Sequence, residues 1–348
     1  MTGKTVPAET LTRLVEALFE SLDLNQADAS CVAESLVSAD LEGISSHGVS
    51  LVPLYVQRIK AGSVCVNAQP LIVEDHGGMV IMTAANALGQ LSSKVAVKLA
   101  IERARQHGVS VVTVRDAFHF GTAAFWSKKF ADAGMVGFSF SNTRPLMPAP
   151  GGAQAMVGNN PMAIAFPSTT GEALVVDMAM SATAMGKIRL AQAQGQSIPA
   201  GWATDAQGNS TTSATEAING MLLPAAGPKG FGLAVAVDLL CGALSGGGFG
   251  ASVRPLYGDV DQPYNCAHTF IAIDASRVAG GTGIGTQVAT FSQSIRDSHR
   301  APGTETIYAP GDLERANRQK IAGNCALLPT LIDELNELAK AAKIGLRL

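Results

Sequence analysis

The apolar residues of this chain repeat at two different periods, and where the period changes limits what the chain can fold into. Near the N-terminus Leu11, Leu14, Val15, Leu18 and Phe19 recur at i, i+3, i+4, i+7 and i+8, the stripe of an amphipathic helix, with Glu9, Arg13, Glu16 and Glu20 on the polar face. A second helical stretch covers Gln26 to Glu42, followed by a Gly-Ile-Ser-Ser-His-Gly break at 43–48 and an apolar segment ending at Lys60-Ala61-Gly62. From about residue 70 the period shortens. β-rich runs at 78–84, 109–114, 136–141, 162–166, 173–178 and 269–273 are interleaved with Gly-punctuated helices such as 88–107. Residues 203–212 read as a hairpin around Gln207-Gly208-Asn209, and helical periodicity returns from Leu313 through Leu331, Leu335 and Leu338. The expected fold class is α/β (α+β). Residues 1–70 and 313–348 are expected to form a helical subdomain, with 71–312 as the α/β domain between them.

Several function classes drop out on composition. With 25 Lys plus Arg against 28 Asp plus Glu, the 348-residue chain has no basic footprint for a nucleic-acid backbone. The 5 cysteines contain no CxxC pair, so they are expected to be reduced thiols rather than a disulfide framework, and neither they nor the histidines have a metal-ligand spacing. The first residues, MTGKTVPAET, lack the charged start, apolar run and cleavage site of a secretory signal. Phe231 to Phe249 is apolar but carries Asp238 and ends in Gly246-Gly247-Gly248, which fits a packed helix rather than a membrane span. A cytoplasmic chain with no nucleic-acid or membrane partner is expected. Gly246 to Ala251 matches G-x-G-x-x-A by letter, yet it follows a helix and runs into Pro255, so a Rossmann phosphate loop is rejected.

Two histidines stand where chemistry is usually placed. His47 follows a short polar turn and precedes a helix that starts near Pro53, so an imidazole there would meet an electropositive helix end; a capping histidine is the bland alternative. His119 follows the strand 109–114 directly and precedes a helix, the position where α/β proteins place ligands. The remaining histidines, His76, His107, His268 and His299, read as surface or structural. Loops rich in Gly, Pro and Asn follow at 142–152 and 158–161, and Gly227-Pro228-Lys229-Gly230 offers one ammonium suited to a phosphate or, as a rival, to a Schiff base.

Taken in order, SHG, HFG after a strand, NTxP followed by GG, GxNP, VVDMA, AAGPKG and a late PGD resemble the type 2 malate/L-lactate dehydrogenase family over about residues 7 to 340. That group spans dehydrogenases of malate, lactate, sulfolactate and ureidoglycolate, and reductases of piperideine- and pyrroline-2-carboxylate. The resemblance implies a homodimer whose non-Rossmann α/β domain binds NAD or NADP. Pro228 beside Lys229 leans the choice to NAD. By position it implies cofactor contacts at His119, Phe120, Gly121, Thr122, Ala123, Thr143, Asp177, Met178, Ala179, Lys229, Pro310, Gly311 and Asp312. It further implies that His119 or His47, the latter oriented by Ser46, exchanges the proton that accompanies hydride transfer, with Tyr55 hydrogen-bonded to a small acid substrate.

Three departures bear on the substrate. The family's arginine four residues after the SHG histidine is Leu51 here, Asn159 replaces a threonine, and Lys187 stands where the imine reductases have an aspartate completing a Ser-His-Asp relay. Recognition of the substrate carboxylate is expected to have moved from position 51 to Arg144. The leading expectation is hydride transfer to or from a 2-hydroxy/2-oxo acid. Reduction of cyclic or N-substituted imino acids is the alternative, and an inactive nucleotide-binding protein is the reading of another class.

Overall fold

The computed structural model describes residues 3–277 and 283–348. Seven strands form the central sheet: β1 (Leu71–Asp75), β2 (Met79–Thr83), β3 (Val109–Ala117), β4 (Met135–Ser141), β5 (Met162–Phe166), β6 (Leu174–Met178) and β7 (Cys266–Asp274). Their order is β1-β2-β3-β7-β4-β5-β6. The only parallel pairing in the sheet is β2 with β3, which are joined by a helical crossover; every other pairing is antiparallel. β7 arrives from late in the sequence and inserts between β3 and β4, so the strand carrying the His119 turn is paired on both sides.

The helical stretches form α1 (Ala8–Glu20), α2 (Gln26–Leu41), α3 (Val52–Lys60), α4 (Gly89–His107) and α5 (Ala123–Asp132). Asn25 caps α2 by accepting the Asp28 N–H at 3.0 Å, and α4 stops at Gly108, whose φ of 87° closes the helix. The chain ends meet: Lys4–Pro7 pairs antiparallel with Asn324–Leu327, and helix Pro329–Ala341 follows. Leu11, Leu14, Val15, Leu18 and Phe19 share one core with Val112 and Phe270 of the sheet and with Leu335 of the last helix. A second core, including Met147, Val157, Met180, Ile188 and Leu222, belongs to residues 146–235.

The 203–212 hairpin forms through Ala203–Thr204 and Ser210–Thr211 and gains a third strand at Met221–Leu222. The run 231–249 begins earlier than its apolar residues, as α6 (Pro228–Asp238), then loosens over Leu239–Ala243 and turns at Gly246. Asp238, the charge within that run, is 5% exposed and accepts from Asn142 Nδ2 and the Gly250 N–H, each at 2.9 Å. Among the described residues no helix is long and apolar enough to cross a membrane.

Gly137 on β4 lets α5 lie flat on the sheet, since a Cβ there would fall 2.2–2.4 Å from Phe130 side-chain atoms. Gly137→Ala should therefore destabilise by about 1–3 kcal/mol through overpacking, read as a lowered Tm. An unchanged Tm would show that the contact between α5 and the sheet is not tight.

Candidate active site

The residues after β3 alternate between burial and the open side. Phe118 and Phe120 are each 2% exposed, and Phe120 stacks on His268 of β7 with ring centroids 4.3 Å apart and planes 8° from parallel. His268 is structural but wholly buried. Its Nε2–H donates to the Phe118 carbonyl at 3.0 Å, leaving Nδ1 to accept from the Ser141 hydroxyl at 3.0 Å. Burial pushes its pKa down to about 4, so it stays neutral. Gly121 then turns the chain at φ 84°, where a Cβ would meet Ser35 Oγ at 2.7 Å, and Thr122 leads in extended geometry into α5. His119, between the two anchored phenylalanines, is only partly buried.

Three elements converge on that imidazole. Tyr55 of α3 is 0% exposed, and its Oη lies 2.7 Å from His119 Nδ1 and 3.3 Å from the His119 carbonyl. Gln90 Nε2 donates to the same Oη at 3.4 Å. His47 arrives from the turn between α2 and α3, its ring centroid 5.4 Å from that of His119, with its Nδ1 held 3.0 Å from Ser46 Oγ. Burial first, and then the charges of His47 and His268, hold His119 well below the usual histidine pKa; burial alone lowers His47. The pair is therefore neutral near pH 7. Nδ1 is engaged by Tyr55 and accepts the Gly121 N–H at 3.4 Å, while Nε2 of His119 has no hydrogen-bond partner among the described residues. Tyr55, expected to contact substrate, has its hydroxyl on His119.

The other expected residues fall into two groups. In the first, Thr143 Oγ1 donates to Asn159 Oδ1 at 2.9 Å, while the buried Asn142 and Asn160 hold the loops by donating to Asp238 and Gly248 and to the Ala234 carbonyl. Arg144 is exposed on this loop with no carboxylate partner among the described ion pairs, yet its charge reaches Tyr264, whose ring meets Phe118 at 6.0 Å. Leu51 is 2% exposed in the main core, so position 51 offers only apolar contact. Lys187 and Lys229 are both exposed, and Lys229 sits in the first turn of α6.

The second group lines a cavity of about 350 Å³ between the end of β6, the start of α5 and residues 308–314. Asp177, Met178, Ala124, Lys128, Pro310 and Gly311 border it. Gly311, at φ 91°, brings its loop against Val175, where a Cβ would touch at 3.3 Å. Asp312 is committed elsewhere. Its carboxylate accepts two 2.8 Å hydrogen bonds from Arg296, a further bond from Arg315 and the Ala309 N–H, and the Arg296 bonds hold its pKa at about 2. It fixes the loop rather than presenting a free carboxylate. The Thr122 side chain does not cap α5, whose second residue Ala124 borders the cavity with its backbone N–H toward the Asp177 carboxylate, and Lys128 one turn on brings a cation to the same wall.

The malate/L-lactate dehydrogenase profile matches residues 6–336. The chain belongs to this family. It is 33% identical to the malate dehydrogenase of Pyrococcus abyssi, over 98% of this chain and 95% of that one. It is 34% identical to the NAD(+) ureidoglycolate dehydrogenase of Escherichia coli K12, over 91% and 90%. The sulfolactate dehydrogenase structure from Methanocaldococcus jannaschii superposes with a TM-score of 0.93 at 31% identity, covering 99% of this chain and 98% of that chain.

Within this family member, three residues that support the site were not singled out from the sequence. Gln90 gives no signal, being one polar residue at an ordinary helix start. Arg58, 1% exposed, donates to the carbonyls of Pro255, Leu256 and Gln262 and ties α3 to the loop before β7. Asp40 accepts the Val49 N–H at 2.8 Å and lies where a Cβ on Gly48 would fall, so it dictates the glycine after His47. Its spacing before the SHG turn was the available clue. Burial pushes the Asp40 carboxyl up to about 7, against the Val49 bond, so between about pH 4 and 7 the unfolded chain releases this proton while the folded one keeps it. Stability from this group therefore falls as pH rises across that window. Asp40→Asn keeps an acceptor for Val49 and should raise Tm at pH 8 relative to the parent, with the gap closing at pH 4; a constant gap would contradict the assignment.

Proposed function

We propose that the protein transfers hydride between NAD or NADP and a small 2-hydroxy/2-oxo acid, with His119 exchanging the accompanying proton at Nε2. The carrying observation is the Tyr55 contact on His119 Nδ1, which leaves the other ring nitrogen available beside His47. Cofactor residues present fit the group: Lys128 of α5 for phosphate, Asp177, Met178 and Pro310–Gly311 for the cavity wall, and Lys229 on its exposed turn. Bound nicotinamide supplies the hydride donor or acceptor at the substrate carbon.

Everything else is the work of this chain. In the oxidative direction neutral His119 accepts the hydroxyl proton at Nε2; in the reductive direction the imidazolium returns it to the oxygen that gains charge. Because His119 is held below the usual histidine pKa, oxidation has its base available at neutral pH, whereas reduction should weaken as pH rises through that lowered pKa. Arg144, exposed and unpaired among the described ion pairs, takes the substrate carboxylate that Leu51 cannot. The imino-acid reading has one observation in its favour, the 3.0 Å Ser46–His47 contact. Lys187 supplies no carboxylate to complete that relay.

We infer a cytoplasmic homodimer, as the family resemblance implies. Its five cysteines are all unpaired, and the exposed Leu233, Leu239, Leu244 and Phe249 on α6 and the segment after it offer apolar surface for a second copy.

The deciding experiment follows reduced-nicotinamide absorbance with NADH and NADPH across 2-oxo acids and cyclic imino acids. Turnover of an oxo acid is expected, and turnover of imines alone would overturn the hydroxy-acid reading. His119→Asn should lower kcat by about 10²-fold or more. Arg144→Ala should raise KM by about 10-fold or more with a smaller change in kcat, as expected for a lost charged hydrogen bond. An unchanged KM for every active acid would remove Arg144 from substrate recognition.

A further inference from the structure

We propose that Asp238 is a positioning residue for substrate recognition, fixing the loop that presents Arg144; this rests on the assignment of Arg144 as the group that takes the substrate carboxylate. Asp238 ends α6 and is 5% exposed, a carboxylate inside an apolar run that the proton exchange does not use. Burial pushes its pKa up, opposed only by two neutral donors, the Asn142 amide and the Gly250 N–H. Its Oδ1 accepts from Asn142 Nδ2, two residues before Arg144, and its Oδ2 accepts the Gly250 N–H, each at 2.9 Å.

The other bonds of Asn142 leave no freedom in how it meets α6. Its Oδ1 accepts the Ala267 N–H of β7 at 2.7 Å, which sets the amide orientation, and its Nδ2 hydrogens go to the Gly248 carbonyl at 2.8 Å and to Asp238. Position 238 must therefore accept from Asn142 with one atom and from Gly250 with another. A carboxylate does both. An asparagine there would turn its amide hydrogens on one of the two donors, and a buried polar group left without its bond is costly. A second anchor lies one turn back on the same face of α6: the Ala234 carbonyl accepts from Asn160 Nδ2 at 2.8 Å, and Asn160 Oδ1 accepts the Thr143 N–H at 2.9 Å. The 158–161 loop is pressed onto Thr143, since a Cβ on Gly158 would fall 2.2 Å from Thr143 Oγ1. Asn142 and Thr143 are thus both fastened to α6, and the exposed Arg144, next in the chain, takes its position from them. Lys229 lies in the first turn of the same helix, so one element holds both exposed cations in a common frame.

The test is a double-mutant cycle on KM for the best hydroxy acid, with the whole chain, at saturating cofactor and well below the Tm of every variant. Asp238→Asn should raise KM about fivefold with kcat within about twofold, and should add less than about twofold to KM in an Arg144→Ala background. Asn142→Ser cuts the same contact from the loop side and takes the place of Asp238→Asn if that variant does not fold, with the same rise in KM expected. An Asp238→Asn variant that keeps its KM, whatever its Tm or kcat, or KM effects of Asp238→Asn and Arg144→Ala that multiply, would overturn the proposal. An unchanged KM in Arg144→Ala alone would instead sink the assignment of Arg144 and this proposal with it, whereas a raised KM there with a multiplying cycle would sink only the role of Asp238.

Discussion

The hydrogen bond between Tyr55 and His119 ties the N-terminal helices to the central sheet at the site. Tyr55 rides on α3, in the helical layer formed from the start of the chain, and His119 sits at the end of β3 in the sheet. Each partner is immobilised by its own surroundings. The Tyr55 ring packs edge-on against Phe118 at 5.0 Å and Phe19 at 6.5 Å, so the amphipathic stripe of α1 reaches the site through a single ring contact. His119 is clamped by Phe118 and Phe120, and Phe120 lies flat on a histidine of the strand that inserts beside β3. A shift of either layer would lengthen a 2.7 Å bond whose strength depends on geometry.

Buried polar groups carry the rest of the positioning. Arg58, Asp238, Asn142 and Asn160 are all nearly inaccessible, and each holds a loop by hydrogen bonds to backbone or to a partner that does so. This explains how a fold with few charged residues keeps long irregular segments in fixed positions: a buried polar group left unpaired is costly, so each bond is defended. Asp312 performs the same task at the rim of the cavity, where two arginines hold it charged and fixed in place. Low histidine pKa values follow from this dry environment, and with them the preference for a neutral proton acceptor.

Much of this was legible in the sequence where the signal is local. The stripe of α1, the β-branched runs of β3 and β7 and the Gly-Asn turn of the hairpin depend on neighbours within a few residues, and they lie where the periodicity put them. The insertion of β7 between β3 and β4, and the ribbon joining the two ends, depend on partners far apart in the chain and have no local signature. In the site, His119 was readable because a strand, a short loop and a helix start surround it. His268 was not, since its strand begins with a bulge that hides its burial behind a polar-looking Asn-Cys-Ala-His. Leu51 was noted as a departure, and it lies buried in the main core.

The account turns on a neutral His119 paired through Nδ1 with Tyr55. Its most direct test is a titration of the ring by nitrogen-15 NMR, with histidine labelled and the His119 signals assigned by comparison with a His119→Asn variant. The account predicts a pKa below the ordinary histidine value of about 6.5 and a neutral ring at pH 7. A pKa at or above about 6.5, or nitrogen shifts unaltered by Tyr55→Phe, would contradict it.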